Sequence, residues 1–169
     1  MSMDTSKSKY IIRRISQSDN EIVRDIILSV MTDFGCIGDG FSSSDAELHT
    51  MYETYSLEGS AFFVIEDIET NQVLGCCGIG PLQGGERSIC ELKKMYFLPQ
   101  LRGLGLGQMI IDTCMASARK YGYQKCYLET LEAMAAANHL YHKNDFVKLT
   151  EPLGATGHNG CDAYLIKDL

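Results

Sequence analysis

Positions 102–107 of the chain read Arg102-Gly103-Leu104-Gly105-Leu106-Gly107. An apolar run at residues 92–98 and then Pro99 precede this segment, and apolar residues at helical spacing follow from near Gln108. Glycines between a strand and a helix leave backbone N–H groups bare at a helix N-terminus, where the helix dipole favours an anion. The segment therefore predicts a seat for a phosphate-bearing ligand. A tight strand-to-helix turn without a ligand is the alternative.

The spacing of these glycines differs from the two common nucleotide signatures. The segment lacks the Gly-Lys-Ser/Thr ending of a P-loop, so it supplies no lysine and no magnesium-binding hydroxyl. It also lacks the G-x-G-x-x-G spacing of a dinucleotide site, and the nearest candidate for a ribose-binding acid, Glu129, lies inside the next predicted strand. A nucleotide-dependent enzyme is therefore disfavoured.

The bulk composition is typical of one folded, soluble domain. The chain has 169 residues, of which 45% are hydrophobic and 22% are charged. Residues 1–9 are polar and are predicted to be disordered, and no apolar run approaches the ~20 residues that cross a membrane. The net charge of −7 disfavours nucleic acid. We expect a single cytoplasmic domain over residues 1–169 that binds neither membrane nor nucleic acid, with a homodimer left open.

The cysteines predict reduced, buried thiols rather than a disulfide framework. Their number is odd, no two have C-x-x-C spacing, and several lie within apolar runs. His139 and His142 share a helix face at i, i+3 spacing, but no acidic or cysteine residue completes a site with them. No metal is therefore predicted.

Hydrophobic periodicity predicts a chain in which strands and helices alternate. The second predicted helix opens on a capping-box pattern, Ser44-Asp45-Ala46-Glu47. The order of elements predicts a layered α/β structure with a mixed sheet. The predicted strands cover residues 10–15, 61–66, 72–79, 88–98, 125–130, 145–149 and 163–169, and the predicted helices cover residues 21–31, 44–55, 108–122 and 133–144.

Residues 91–99, followed by the glycine segment, resemble the GNAT superfamily of N-acetyltransferases. Arg102, Gly105 and Gly107 match the family's Gln/Arg-x-x-Gly-x-Gly/Ala signature. Residues 137–146 are similar to its fourth-helix motif, although Asp145 replaces the usual glycine; because Asp tolerates a left-handed turn, we expect that turn to persist. The resemblance covers nearly the whole chain. It implies an α/β (α+β) fold with a mixed, mostly antiparallel sheet of about seven strands, flanked by about four helices and splayed between the fourth and fifth strands.

The resemblance also implies an acetyl-coenzyme A site. The backbone N–H groups of Arg102, Gly103, Leu104, Gly105, Leu106 and Gly107 would hold the pyrophosphate, and the Arg102 side chain would either add charge or point to solvent. The fourth strand, at Met95, Tyr96 and Phe97, would pair its backbone with the pantetheine amides. Asn138 matches a position that often touches the cofactor, and a solvated helix residue is the alternative.

Transfer to an amine requires the neutral amine, yet a lysine-type amine has a pKa of roughly 10.4. Glu91 is the candidate base, directly or through water, and an outward-facing strand residue is the alternative. Tyr141 matches the tyrosine that protonates the leaving sulfur in many relatives, and a packed aromatic is the alternative. A backbone N–H near Phe97 would face the carbonyl oxygen that gains charge.

Two loops are predicted to form the acceptor pocket, because loops commonly carry specificity. Phe34 and Phe41 represent the loop between the first two helices, and His158 represents the loop between the last two strands. The expected function is acetyl transfer from acetyl-coenzyme A to a primary amine of a small molecule or peptide, by direct attack in a ternary complex. A non-catalytic acyl-coenzyme A sensor or regulatory module is the alternative. The acidic net charge mildly favours a cationic acceptor.

Overall fold

The computed structural model describes residues 9–169, and strands and helices alternate along this range. The prediction of a disordered segment over residues 1–9 falls on residues 1–8, which lie outside the described residues. The strands are β1 (Tyr10–Arg14), β2 (Ala61–Asp67), β3 (Gln72–Pro81), β4 (Ile89–Phe97), β5 (Lys125–Thr130), β6 (Val147–Leu149) and β7 (Ala163–Asp168). The helices are α1 (Asn20–Asp33), α2 (Met51–Tyr55), α3 (Leu106–Lys120) and α4 (Ala135–Lys143).

The strands form one seven-stranded sheet in the order β1-β2-β3-β4-β5-β7-β6. Neighbouring strands are antiparallel except β4 and β5, which run parallel. The β4–β5 pairing begins at Ile89 opposite Lys125 and ends at Glu91 opposite Tyr127, so the remainder of β4 diverges from β5. The predicted fold class, with its splay between the fourth and fifth strands, is confirmed.

Apolar layers cover both faces of this sheet. Helix α3 inserts Ile110, Ile111 and Met115 into one layer, which also contains Tyr141 of α4. Helix α1 contributes Val23, Ile27 and other apolar residues to the second layer. Strands β2 and β3 are buried along most of their length because they lie between the two layers. Within residues 9–169, no helix is long and apolar enough to cross a membrane.

All seven cysteines are free thiols, as the sequence predicts. Six of them are buried, and Cys161 is partly buried. Burial raises the pKa of the Cys76 thiol to about 12, so this group is neutral at physiological pH. The cysteines that lie in the strands and in α3 therefore behave as small core side chains.

The predicted helix over residues 44–55 is wrong in its first half. That part of the chain forms two 3-10 turns, Ser42–Ser44 and Ala46–His49, and α2 occupies only Met51–Tyr55. The carboxylates of Asp45 and Glu47 contact the buried ammonium of Lys94, each at 2.6 Å, instead of stabilising a helix N-terminus. A tertiary ion pair thus overrides the local capping pattern.

Two backbone features at the ends of helices bear on the site. Helix α3 starts at Leu106, earlier than predicted, because Gly105 adopts φ 75° as its N-cap. Asp145 adopts φ 67° after α4, which confirms that the turn persists without the family's glycine. The other elements lie within a few residues of their predicted bounds.

Candidate active site

The glycine segment forms the turn that leads into α3. Gly103 and Gly105 adopt φ 76° and 75°, in the left-handed region that glycine enters without strain. Within the described chain, the backbone N–H groups of residues 103–107 donate to no acceptor of the protein. The start of α3 therefore presents bare donors at the positive end of a 15-residue helix.

Two glycines make room for the ring of Phe97 between β3 and α3. A Cβ on Gly107 would lie 2.7 Å from Leu140 Cδ2 and 3.3 Å from Phe97 Cε2. A Cβ on Gly75 would lie 2.7 Å from Phe97 Cδ1. Because neither side chain exists, the C-terminal end of β4 packs directly against the first turn of α3.

The same end of β4 carries an open backbone edge. The N–H of Leu98 donates to the Leu74 carbonyl at 2.9 Å, so by strand alternation the N–H and carbonyl of Phe97 face away from β3. Strand β5 has already diverged on that side. Arg102 is exposed, and its Nη2 donates to the Phe97 carbonyl at 3.2 Å. The N–H of Phe97 is therefore turned toward the gap and is available to an extended ligand, while its carbonyl is shared with Arg102.

Glu91 is the last residue of β4 that pairs with β5, and its side chain is buried. The residue is only 3% exposed, and its carboxyl has no hydrogen-bond partner among residues 9–169. Burial raises its pKa to about 7, so the carboxyl exchanges a proton near neutral pH. It faces a cavity of about 300 Å³ that is also lined by Asp45, Ala46, Glu47, Gln83, Lys93, Thr156 and His158. This position differs from the outward-facing alternative.

Lys94 supports the wall of this cavity, a role that no local sequence pattern indicates. It lies at a β-bulge with φ 55°, where the register between β3 and β4 shifts. Its Nζ is 2.6 Å from both Asp45 Oδ2 and Glu47 Oε1. Desolvation lowers the pKa of Lys94, but the two carboxylates outweigh it and hold the pKa above its ordinary value. The ammonium therefore stays charged.

His158, the histidine that the sequence offers as a candidate for the acceptor pocket, lines this cavity. Its Nε2 is 3.0 Å from each carboxylate oxygen of Asp45, and this contact raises the pKa of the imidazole. Its Nδ1 is 3.8 Å from Glu129 Oε2. Glu129 in turn accepts hydrogen bonds from the hydroxyls of Tyr127 and Thr156, each at 2.7 Å. The loop before α2 and the loop before β7 are thus tied together across the cavity.

The other aromatic candidates for the cavity wall lie elsewhere. Phe34 ends α1 and is exposed, and the cavity lining does not include it. Phe41 packs on Gly160, where a Cβ would lie 2.4 Å from the ring. The loop between α1 and α2 faces the cavity with Asp45 and Glu47 instead. The sequence predicts these two acids at the start of the second helix, and they reach the cavity because that part of the chain forms 3-10 turns instead.

Tyr141 has a packed ring, as the alternative of a core aromatic predicts, and a hydroxyl that is unpartnered within the described chain, as the role of a proton donor requires. Its ring is buried and meets Phe146 edge-on with a centroid distance of 5.8 Å. Its hydroxyl has no hydrogen-bond partner within the described residues and is not fully enclosed, since every fully enclosed side-chain polar atom there is partnered. Burial raises the pKa of this phenol, so it carries a proton at neutral pH.

Asn138 has a partner within the protein. Its Nδ2 donates to the carbonyl of Leu131 at 2.8 Å and so holds the loop that follows β5. It also lines a second cavity of about 180 Å³ together with Glu132, His142, Lys148, Ala163 and Leu165. Asn138 is therefore not a freely solvated residue.

One set of side chains offers donor atoms to a cation. A nitrogen of His158 and carboxylate oxygens of Glu91 and Glu129 lie within 4.8 Å of one another. Imidazole and carboxylate are ligands that zinc accepts. Both carboxylate oxygens of Glu129 already accept hydrogen bonds from hydroxyls. The absence of a metal from the mechanism stays a prediction.

Comparison with known proteins places this geometry in a family. A family model described as an acetyltransferase (GNAT) domain matches residues 58–148. The uncharacterized N-acetyltransferase YjgM of Escherichia coli is 38% identical over 160 residues, which cover 94% of this chain and 95% of the relative. An uncharacterized N-acetyltransferase of Schizosaccharomyces pombe is 33% identical over 112 residues, covering 66% of each chain.

Solved structures share the fold. An acetyltransferase of Streptococcus agalactiae superimposes with a TM-score of 0.81 at 15% identity, covering 95% of this chain and 99% of its own. The yncA protein of Salmonella typhimurium superimposes with a TM-score of 0.74 at 19% identity, covering 95% of this chain and 94% of its own. The family model and the Escherichia coli relative match this chain in sequence, not only in fold. This chain therefore belongs to the GNAT family of acetyltransferases.

Proposed function

We propose that the protein transfers an acetyl group from acetyl-coenzyme A to a primary amine of a small molecule or peptide, by direct attack in a ternary complex. The observation that carries this proposal is Glu91, a buried carboxyl without a hydrogen-bond partner among the described residues, located where β4 and β5 separate. Its pKa of about 7 suits a general base at neutral pH.

The donor fits the bare backbone at the start of α3. The unpaired N–H groups of residues 103–107 would hold the pyrophosphate, and the open edge at Met95, Tyr96 and Phe97 would pair with the pantetheine amides. A Cβ at Gly107 would lie 2.7 Å from Leu140 Cδ2, so Leu140 approaches this turn closely because residue 107 is glycine. The Salmonella typhimurium neighbour is described with its cofactor acetyl-CoA, which supports this choice of donor.

The side chains divide the proton transfers between them. Glu91 would accept the proton that the amine loses as its nitrogen bonds to the thioester carbon, directly or through water. Tyr141 would donate its hydroxyl proton to the sulfur as the carbon–sulfur bond breaks. The N–H of Phe97, which faces the open edge, would donate to the carbonyl oxygen as that atom gains charge. Asn138 would position the loop after β5 beside the cofactor.

The acceptor is an amine of modest size. A cavity of about 300 Å³ lies at the small end of the range for ligand sites, which favours a small molecule over a folded protein surface. A structural neighbour, spermidine N-acetyltransferase of Vibrio cholerae, is described in complex with CoA and spermine, which shows the fold serving a small amine in that protein.

A thiol-release assay with acetyl-coenzyme A and a panel of amines tests the proposal. We expect at least one amine to stimulate thiol release, and we expect Glu91→Gln to suppress that release. Glu21→Gln, which changes an exposed carboxylate on α1, serves as the matched control. Binding of acetyl-coenzyme A without thiol release on any amine would instead favour a sensor, and absence of binding would remove the function altogether.

A further inference from the structure

We propose that the acceptor carries a carboxylate close to its reacting amine, and that Lys93 binds this carboxylate. The inference rests on the proposed function and narrows its substrate class to small amino acids and related zwitterions. It departs from the cationic acceptor that the net charge favours.

The carboxylates of Asp45 and Glu47 are already satisfied from within the protein. Asp45 contacts Lys94 Nζ at 2.6 Å and His158 Nε2 at 3.0 Å. Glu47 Oε1 contacts the same Nζ at 2.6 Å and accepts a hydrogen bond from the Tyr55 hydroxyl at 2.9 Å. Little of their negative charge is left for a polycationic ligand, because the Lys94 ammonium contacts both carboxylates and His158 Nε2 also contacts Asp45.

Glu129 is occupied in the same way, since both of its oxygens accept hydrogen bonds from hydroxyls. Glu91 is therefore the carboxyl that remains free at the cavity within the described chain. It has to take a proton from the amine, so it does not serve as a permanent anchor for a second ammonium. A polyamine would also place that second ammonium near Lys93 and Lys94, where like charges repel.

Lys93 is the cation that lacks a strong partner. It follows Glu91 by two residues, so the two side chains leave β4 on the same face and both line the cavity. Its Nζ lies 3.9 Å from Glu91 Oε2, which is longer than a hydrogen bond, and it donates no hydrogen bond within residues 9–169. Its side chain is only 20% exposed and lines the cavity, so the ammonium is within reach of a ligand bound there.

The distance between these two groups sets the shape of the ligand. A base and an ammonium 3.9 Å apart match an amine and a carboxylate on the same or neighbouring carbon atoms. The amine would face Glu91 and the open edge of β4, while the carboxylate would face Lys93. One ammonium balances one carboxylate, whereas a phosphate dianion would also approach Asp45 and Glu47 and be repelled.

Comparing free amino acids with their carboxamides tests the role of the ligand carboxylate, because amidation removes the negative charge of that group with little change in size. We would measure their binding to the protein saturated with coenzyme A by calorimetry, and their turnover by thiol release, with spermidine as the polyamine arm. We expect the best amino acid to exceed its carboxamide by about tenfold or more in both measurements, since a charge-assisted hydrogen bond is lost.

Three variants test whether Lys93 causes the preference for the amino acid over its carboxamide. Lys93→Gln should bring the ratio of acid to carboxamide close to one, and Lys93→Arg should keep it because the charge remains. Lys125→Gln, which removes an exposed lysine outside the cavity, should keep the ratio as well. The ratio at one pH cancels any effect of Lys93 on Glu91, because both ligands meet the same base.

The outcomes separate this inference from the function on which it rests. Thiol release that favours spermidine or the carboxamides leaves the acetyltransferase intact and overturns the role of Lys93. Binding of amino acids that depends on Lys93, without any thiol release, supports the recognition and removes the catalysis. If neither amino acids nor carboxamides bind, the inference is overturned.

Discussion

Lys94 Nζ lies 2.6 Å from Asp45 Oδ2, and this contact joins the bulge of β4 to the segment between α1 and α2. The same ammonium contacts Glu47 at 2.6 Å. Lys94 is buried, whereas both carboxylates keep some exposure at the cavity. Lys94 therefore holds the side chains of Asp45 and Glu47 in the cavity wall from the protein interior. His158 contacts the same Asp45 from the loop before β7.

We predict that Lys94→Met lowers the free energy of unfolding by about 3 kcal/mol, because it leaves two partly buried carboxylates without their cation. Urea denaturation at neutral pH measures the loss. Lys148→Met is the control, since it breaks the exposed ion pair of Lys148 with Glu132 and should cost less than about 1 kcal/mol. If both variants lost the same free energy of unfolding, the contacts of Lys94 with Asp45 and Glu47 would contribute no more to stability than an exposed ion pair.

Glu91 should impose a pH dependence on turnover. Its pKa of about 7 predicts that kcat/KM rises through neutral pH as the carboxyl loses its proton and becomes able to act as a base. In Glu91→Gln we expect kcat to fall by about 10²-fold or more and the rise near pH 7 to disappear. The later rise that belongs to the acceptor amine should remain. An identical profile in both proteins would exclude Glu91 as the base.

The same carboxyl should also affect stability. Burial raises its folded-state pKa from 4.5 to about 7, so the folded protein holds this proton more tightly than the unfolded chain. The stability that this tightly held proton provides is fully present below pH 4.5 and is lost as the pH rises through about 7, where the carboxyl of the folded protein ionises. Glu91→Gln cannot ionise, so the free energy of unfolding of this variant should gain about 3 kcal/mol on wild type between pH 4.5 and 8.

Urea denaturation of both proteins across that pH range measures the difference. Other titrating groups, including His158 and Asp45, are present in both proteins and largely cancel. Parallel curves at all pH values would mean that Glu91 is solvated well enough to ionise at its ordinary pKa.

Tyr141→Phe should reduce kcat more than it weakens the binding of coenzyme A. The hydroxyl has no partner within the described residues, so its removal should leave the packing against Phe146 intact and the free energy of unfolding within ~0.5 kcal/mol. We expect kcat to fall by about 10²-fold through loss of the general acid. Tyr52→Phe, at an exposed tyrosine of α2, is the control. An unchanged kcat would make Tyr141 a packing residue.

Local chemistry explains what the sequence could predict. The glycine segment and the turn at Asp145 follow from backbone freedom, which is visible in a few consecutive residues. The candidacy of Glu91 follows from its place at the start of an apolar strand, whereas the sequence leaves its orientation open. The role of Lys94 follows from a bulge that shifts the register between β3 and β4, and from two acids that lie 49 and 47 positions earlier in the chain. No local pattern reveals such a pairing, which is why the capping-box pattern over residues 44–47 predicts a helix there instead.

Gly103 and Gly122 provide a matched test of the glycine segment. They adopt φ 76° and 85°, and a Cβ on either would meet no atom within 4 Å. Each change to alanine should therefore cost a similar amount of stability, about 1 kcal/mol, from backbone strain alone. Gly103→Ala should in addition weaken coenzyme A binding by about tenfold, because a relaxed backbone tilts the N–H groups away from the pyrophosphate.

Calorimetry with coenzyme A and urea denaturation separate these two effects. Gly122 follows α3 at the end opposite to the glycine segment, so Gly122→Ala should bind coenzyme A as wild type does. Equal affinity in both variants would mean that the segment is a tight turn without a ligand. A loss confined to Gly103→Ala would assign the anion seat to these backbone N–H groups, since the two variants share the strain and differ in their distance from the donors.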